Sequence, residues 1–151
     1  MHIDFKAAEL KDIDSLLIFM EEFNEVDNHP FNAAIARDSL TKLLNNEFLG
    51  RIWLIHHQNE AIGYIVLTFG YSIEYHGRDA FIDEFYIRKS HQRQGIGKQT
   101  LKFVEEVAYS FGVNAVHLEV ERENTSAQEL YRRIGFKDQN RYLMTKWLTN
   151  P

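Results

Sequence analysis

The stretch of residues 83–101 most constrains the fold, because it combines a strand, a basic loop, a glycine turn and the start of a helix. Aromatic and β-branched residues over positions 81–87 are typical of a mostly buried strand. From Ile96 onward the apolar residues follow helical spacing. Gly95 and Gly97 lie between the two patterns, where glycine permits a tight turn. This segment therefore predicts a β-strand that leads directly into a helix.

The turn at the start of this helix is a candidate anion site. The first amides of a helix have no intrahelical acceptor and carry the positive end of its dipole. Basic side chains surround the turn in a chain whose net charge is −5, namely Arg88, Lys89, Arg93 and Lys98. A dinucleotide fingerprint would need glycine at Thr100, and a P-loop would need glycine at Gln92. The turn alone leaves an ordinary strand-to-helix connection as the alternative.

A second motif follows after one further helix and strand. It has the form Asn124-x-x-Ala127-x-x-Leu130-Tyr131-x-x-x-Gly135-Phe136. Together with Gln92-x-x-Gly95-x-Gly97, it resembles the GNAT superfamily of acetyl-CoA-dependent N-acetyltransferases. The resemblance covers most of the chain and is weakest over residues 21–47.

Periodicity along the chain predicts alternating strands and helices. The predicted strands cover residues 2–7, 50–57, 61–69, 80–87 and 115–121, with one or two more over 137–147. The predicted helices cover residues 10–23, 33–44 and 96–111, and a short one begins at Asn124. This order predicts an α/β domain of the α+β type, with a central mixed sheet of six or seven strands flanked by about four helices. With 151 residues, two prolines and no repeat, residues 1–151 are expected to form a single domain.

The resemblance also implies a cofactor site. In the family, a bulge splays the fourth strand from the fifth, and coenzyme A lies in the wedge between them. Acetyl-CoA is therefore the expected co-substrate, and backbone groups of Phe85, Tyr86 and Ile87 would bind its pantetheine arm. The segment expected to wrap the pyrophosphate consists of Gln92, Arg93, Gln94, Gly95, Ile96, Gly97 and Lys98. Asn124 would either cap its helix or donate a hydrogen bond to the cofactor.

Acetyl transfer to an amine requires a group that removes a proton, since an aliphatic amine has a pKa near ~10.4. A carboxylate can accept that proton, and the resemblance places Asp83 and Glu84 where many family members carry one. Strand alternation would turn only one of them toward the cleft, but a bulge would change that parity, so both stay candidates. By the same resemblance Tyr131 is the general acid for the coenzyme A thiolate; the alternative is a core tyrosine that packs against Phe136. The chain has no cysteine for a covalent acetyl-enzyme, so direct attack in a ternary complex is expected.

The expected acceptor is a small cationic amine. Acidic residues cluster near the end of the first helix, and we expect Glu25 and Asp27 to bind substrate together with Asp83 and Glu84. Tyr71-Ser72, Gly77-Arg78 and residues 83–87 are also similar to the diamine and polyamine branch of the superfamily. A solvated helix end is the alternative interpretation of the acidic cluster. At the level of function, the alternatives are a protein or peptide N-acetyltransferase and an acyl-CoA-binding module without turnover.

Composition narrows the remaining classes. The absence of cysteine excludes disulfides and cysteine-based zinc sites in this chain. No histidine pair has ligand spacing on a helix, so no metal is expected; His117 is the histidine whose position could reach the cofactor wedge. The acidic balance argues against nucleic acid as a partner. No apolar run is long enough for a membrane span or a secretory signal, so a cytoplasmic location is expected. The oligomeric state stays open between a monomer and a homodimer.

Overall fold

The computed structural model describes residues 2–151. It divides into two compact units, with the boundary between Glu119 and Val120. The elements of the first unit are β1 (Ile3–Ala7), α1 (Ile13–Val26), α2 (Ala33–Leu44), β2 (Gly50–His57), β3 (Glu60–Ser72), β4 (Gly77–Ile87), α3 (Ile96–Ser110) and β5 (Ala115–His117). The second unit contains α4 (Thr125–Arg133). The prediction that residues 1–151 form one domain stays a prediction.

The five strands form one mixed sheet in the order β1-β2-β3-β4-β5. The first four strands pair antiparallel, with short connections between β2 and β3 and between β3 and β4, and with α1 and α2 between β1 and β2. Strand β5 pairs parallel to β4 after the crossover through α3. Each face of the sheet carries its own apolar cluster, because side chains alternate along a strand. Tyr64 and Val66 pack with α1 and α2 on one face, and Ile62 packs with Ile96 of α3 on the other. The predicted mixed sheet with helices on both faces is confirmed.

The prediction of six or seven strands is not confirmed, since residues 2–151 contain five strands and four α-helices. Residues 137–147, predicted as one or two strands, contain no strand. Their large side chains lie in solvent, with Tyr142 85% and Met144 90% exposed. The predicted strand at 115–121 ends at His117. Alternation of polar and apolar residues favours an extended backbone. A segment becomes a strand of a sheet only when a neighbouring strand forms backbone hydrogen bonds with it.

A β-bulge interrupts the pairing of β3 with β4. Val66 lies opposite Glu84 and Leu67 lies opposite Ile82, which leaves Asp83 as the extra residue. On the N-terminal side of the bulge, odd-numbered residues of β4 such as Phe81 share the face of α1 and α2. On its C-terminal side, even-numbered residues such as Tyr86 do so. The bulge therefore changes the parity of β4 within the segment that carries both candidate carboxylates.

The strands β4 and β5 pair over three residues only, from Asp79–Ala115 to Phe81–His117. Beyond Phe81, β4 continues to Ile87 with β3 on one edge. Among residues 2–151, no strand pairs with the other edge there. The backbone of residues 82–86 on this edge is thus not used in strand pairing, whereas Ile87 O accepts a hydrogen bond from Gln92 Nε2.

Candidate active site

A cavity of about 290 Å³ lies between α1, α2 and the sheet. Its walls are mostly apolar or small side chains, namely Met20, Ala36, Ser39, Leu40, Leu43, Val66 and Thr68. Asp83 and Glu84 complete the lining. Strand alternation alone would have placed one of these acids on the opposite face of the sheet. The bulge resolves the alternatives left open by the sequence, because it brings both carboxylates to the same cavity.

The two carboxylates lie in surroundings that favour their neutral forms. Burial raises the pKa of Glu84, and the neighbouring charge of Asp83 raises it further. Partial desolvation by the surrounding protein also raises the pKa of Asp83, although this residue is exposed to solvent. A carboxylate whose pKa is raised holds a proton more strongly at neutral pH, which suits a general base.

Tyr64 opposes this effect at Glu84. Its hydroxyl donates a hydrogen bond to Glu84 Oε1 over 2.7 Å, and this bond lowers the pKa of the carboxyl. Tyr64 is fully buried, and burial raises the pKa of its phenol far above the ordinary range. The phenol therefore stays protonated and keeps donating to Glu84. Tyr64 was not among the residues expected at the site, since its role depends on which residue of β4 lies opposite β3.

Arg88 does not contribute to the anion site, contrary to the sequence-based expectation. Its guanidinium turns to α1 and binds Glu22 through two hydrogen bonds, Nε to Oε1 at 3.1 Å and Nη2 to Oε2 at 2.8 Å. The Tyr86 hydroxyl also donates to Glu22 Oε1, over 3.0 Å. The guanidinium stacks on the Phe19 ring, 4.7 Å from its centroid. Arg88 therefore points to Glu22, one turn before the end of α1, and away from the loop between β4 and α3.

The pKa shifts in this network agree with its geometry. The hydrogen bond from Arg88 lowers the pKa of Glu22, although burial opposes the shift. Burial and the hydrogen bond to Glu22 raise the pKa of Tyr86 to about 12. Glu22 is therefore a charged anchor between α1 and the end of β4, and it is not a free acid that could recruit a substrate.

The loop between β4 and α3 has the form expected of an anion site. Gly95 precedes the helix with φ of 80° and, having no side chain, provides no cap. The first intrahelical hydrogen bond joins Gln99 N to Gly95 O, so the amides of Ile96, Gly97 and Lys98 lie ahead of it. A Cβ atom built at Gly95 would meet nothing within 4 Å. The approach to these amides is open at this point, as an incoming anion requires.

Side chains within the loop hold its shape. Gln92 Nε2 donates to Ile87 O over 2.7 Å, and Gln94 Nε2 donates to Ser90 O over 3.3 Å. Arg93 adopts a positive φ of 62°. Lys89, Arg93 and Lys98 form no ion pair within the part of the chain that the structure describes. Three of the four predicted cations thus remain available to an anion.

The residues predicted near pantetheine lie on both faces of β4. Phe85 and Ile87 pack on the side of α3, and Tyr86 packs on the side of α1. Their backbone pairs with β3 on one edge. The other edge is the one on which no strand of residues 2–151 pairs. That the cofactor wedge expected from the resemblance begins at this edge stays a prediction.

Two predicted substrate residues lie outside the cavity. Glu25 and Asp27 are exposed at the C-terminal end of α1. The charge of Glu25 still reaches Tyr86, whose pKa it helps to raise. A role for both in attracting a cation stays a prediction, whereas direct contact with an amine in the cavity would need other residues.

In the second unit, Asn124 caps α4 by accepting a hydrogen bond from Ala127 N over 3.3 Å. The Tyr131 ring packs edge-on against Phe136, with centroids 6.0 Å apart. Its hydroxyl makes no hydrogen bond within residues 2–151, and burial raises the pKa of the phenol. A phenol in this state is protonated at neutral pH and retains a proton to donate. The cap predicted for Asn124 is present, and the cofactor role of Asn124 stays a prediction.

The described residues contain neither a cluster of metal ligands nor a helix that could span a membrane. Among residues 2–151, no group of three or more histidines or acids is arranged to hold a metal ion. None of the described helices is long and apolar enough to cross a bilayer.

Comparisons with known proteins agree with this geometry. The sequence profile of the acetyltransferase (GNAT) family matches residues 16–136. Thialysine N-epsilon-acetyltransferase of Bos taurus is 34% identical over 78 residues, which are 52% of this chain and 45% of the relative. A probable spermine N(1)-acetyltransferase of Bacillus subtilis subsp. natto is 28% identical over 89 residues, covering 55% and 57% of the two chains. This chain therefore matches about half the length of these curated relatives.

Solved structures extend the similarity to the whole fold. An integron cassette protein from the Cole Harbour salt marsh metagenome has a TM-score of 0.87 and 33% identity, over 97% of this chain and 91% of that one. A predicted acetyltransferase of Clostridium acetobutylicum, solved with acetyl-CoA, has a TM-score of 0.81 and 18% identity, over 96% of each chain. The strand-to-helix turn, the bulged strand and the profile match point to the same conclusion. This chain belongs to the GNAT family of acetyltransferases.

Proposed function

We propose that this chain transfers an acetyl group from acetyl-CoA to the primary amine of a small cationic acceptor, by direct attack in a ternary complex. The observation that carries the proposal is the bulge, which brings two carboxylates to one cavity beside a strand edge that has no strand partner among residues 2–151. Names of relatives support the acceptor class, since thialysine and spermine are both amines.

The cofactor would bind along the open edge of β4 and at the start of α3. The pyrophosphate would accept hydrogen bonds from the amides of Ile96, Gly97 and Lys98, since these lie ahead of the first intrahelical bond. The side chains of Arg93 and Lys98 would add charge. Gln92 would act indirectly, because its amide holds the loop to Ile87. Pantetheine would pair with the backbone edge of residues 85–87 that has no strand partner among residues 2–151.

The acceptor amine would enter the cavity as an ammonium ion and lose a proton there. Glu84 is our choice as the base, because it combines burial with a fixed orientation from Tyr64. Asp83 would stabilise the incoming cation and raise the proton affinity of its neighbour. Apolar walls from Met20 and Leu40 would hold the alkyl part of the acceptor.

In the chemical step, the amine nitrogen attacks the thioester carbonyl; the carbon–nitrogen bond forms and the carbon–sulfur bond breaks. The electron pair leaves with sulfur as a thiolate, which Tyr131 would protonate. The attacking nitrogen loses its second proton as the amide forms, and this proton would pass through solvent to restore the Tyr131 phenol. Because the chain contains no cysteine, no acetyl-cysteine intermediate is available. Glu25 and Asp27 would act at longer range, by attracting the cation toward the cavity.

The test is a screen for amine-dependent release of free coenzyme A from acetyl-CoA, across diamines, polyamines, aminoglycosides and peptides. We expect turnover with small cationic amines, and loss of turnover in Glu84→Gln with acetyl-CoA binding retained in calorimetry. Asp38→Asn is the matched control, since Asp38 is an exposed acid of α2 paired with Lys42. Binding without turnover on any amine would support an acyl-CoA-binding module, and turnover on peptides alone would support a peptide acetyltransferase.

A further inference from the structure

The sheet face that forms the floor of the cavity continues toward the edge of the sheet. Thr68, which lines the cavity, lies directly opposite Phe81 of β4. Phe81 in turn lies opposite His117 of β5. Directly opposite residues share a face of a sheet, so Thr68, Phe81 and His117 form one row across three strands. Phe81 remains 40% exposed, which leaves an apolar surface beside the cavity.

Asp79 lies at the far end of this surface. Its Oδ2 is 3.0 Å from His117 Nε2, and the two side chains are 14% and 20% exposed. The rings of Tyr75 and Phe81 flank His117, with centroids 4.6 and 5.0 Å away. The carboxylate extends over Gly70, where a Cβ atom would lie only 2.8 Å from Asp79 Oδ1. Glycine at this position makes room for the carboxylate on the face of the sheet.

The charge of Asp79 is only partly satisfied. Its Oδ1 accepts no hydrogen bond within residues 2–151. The neighbouring cation, Arg78, points away from this face; it donates to Phe111 O and lies 4.0 Å over the Phe69 ring. A carboxylate beside aromatic rings matches an ammonium ion, because the ring faces and the charge both attract cations.

The strand register gives the distance between the positions of Glu84 and Asp79. Glu84 lies opposite Val66 and Asp79 lies opposite Gly70, which is four residues further along β3. At about 3.3 Å per residue, the two positions are roughly 13 Å apart along the sheet. A linear diamine with roughly ten bonds between its nitrogens can span this distance, given covalent bonds of about 1.5 Å. Its methylene groups would lie on Phe81.

We propose that Asp79, held by His117 and flanked by Tyr75 and Phe81, binds a second cationic group of the acceptor. The preferred acceptor then carries two amines, with the second nitrogen roughly 13 Å from the one that is acetylated. This inference rests on the proposed acetyltransferase function and adds the length of the acceptor and the residue that selects it.

The test is a series of α,ω-diamines of increasing length, each compared with the monoamine of the same length. For the wild type we expect kcat/KM to rise with length toward a spacing of about ten bonds, and only for the diamines. In Asp79→Asn the ratio of kcat/KM between the ten-bond and the four-bond diamine should fall roughly tenfold. The amide oxygen of asparagine can still accept the hydrogen bond of His117, so the strand pairing is expected to persist.

Asp4→Asn is the matched control, because Asp4 also pairs with a histidine, His2, at 3.1 Å but on the exposed surface of β1. In Asp4→Asn, the ratio of kcat/KM between the ten-bond and the four-bond diamine should equal that of the wild type. Phe81→Leu provides a second variant, in which the ring is lost and the charge is kept, and it should lower the same ratio. An identical length profile in wild type and Asp79→Asn would overturn the subsite alone, as would a wild type without length preference. Failure to acetylate any amine would reject the proposed function and the subsite with it.

Discussion

Removing the Tyr64 hydroxyl should move the pH dependence of catalysis in a direction that the structure determines. The hydroxyl donates 2.7 Å to Glu84 Oε1, and a hydrogen bond to the charged form lowers a pKa. Tyr64→Phe removes this bond and keeps the ring, which packs 6.3 Å from Phe19. Hydrogen bonds to charged groups contribute about 1.5–3 kcal/mol, and about 1.4 kcal/mol corresponds to one pKa unit. The pKa of Glu84 should therefore rise by roughly one to two units.

The assay is kcat/KM for the amine as a function of pH, because its acid limb reports the ionisation of the free enzyme. The limb should move to higher pH in Tyr64→Phe, since less Glu84 is ionised at each pH below the new pKa. Asp83→Asn should move the limb in the opposite direction, because Asp83 raises the pKa of Glu84. Tyr86→Phe is the matched control; its hydroxyl donates to Glu22, and the limb should stay in place. An unmoved limb in Tyr64→Phe would show that another group is the base.

Three further predictions address the other parts of the site. Gly97→Glu should abolish acetyl-CoA binding in calorimetry, because it adds bulk and negative charge at the first amides of α3; unchanged affinity would reject the anion site. Tyr131→Phe should lower the single-turnover rate by about 10²–10⁴-fold with acetyl-CoA affinity retained, and a wild-type rate would assign the phenol to packing against Phe136. Glu22 has a lowered pKa, so its stabilisation is present above its unfolded pKa and is lost as pH falls through its folded pKa. Thermal melts of Glu22→Gln should thus show a deficit of about 1 kcal/mol at neutral pH that vanishes in acid, whereas a deficit independent of pH would contradict the ion pair.

Local features of the fold could be predicted from the sequence because they depend on neighbouring residues. The strand-to-helix passage at Gly95 and the cap at Asn124 each follow from a few consecutive positions. The family motifs likewise lie in continuous segments, and the family profile confirms the resemblance that they indicated.

The other features of the fold and of the site depend on contacts between residues that are far apart in the sequence. Arg88 was expected at the anion site, yet Glu22, 66 residues away, determines its direction. The walls of the cavity come from α1, α2 and β3, and the small side chains of Ala36 and Ser39 carry no signal of their own. The predicted strands over 137–147 were inferred from alternation, but alternation does not provide a pairing partner.

The bulge is visible only in the packing of β4, because residues 80–82 and 85–87 are all apolar and show no alternation in the sequence. The residues of β4 that pack away from α1 and α2 are even-numbered at Ala80 and Ile82, and odd-numbered at Phe85 and Ile87. A change of phase within one strand indicates an extra residue between the two parts. Such a change of phase favours a shared face for Asp83 and Glu84, which strict alternation along the strand would have separated.

The bulge also has a consequence for how this family of pockets can evolve. Asp83 has no partner in the ladder, so a chain without it would form a regular strand in which Phe81 and Glu84 still share one face. Loss of a single codon could therefore halve the number of acids in the pocket while every other contact of the sheet is inherited unchanged. An insertion at the same place could restore the second acid. The acidity of such a pocket can thus change independently of the core, through insertions and deletions as well as through substitutions.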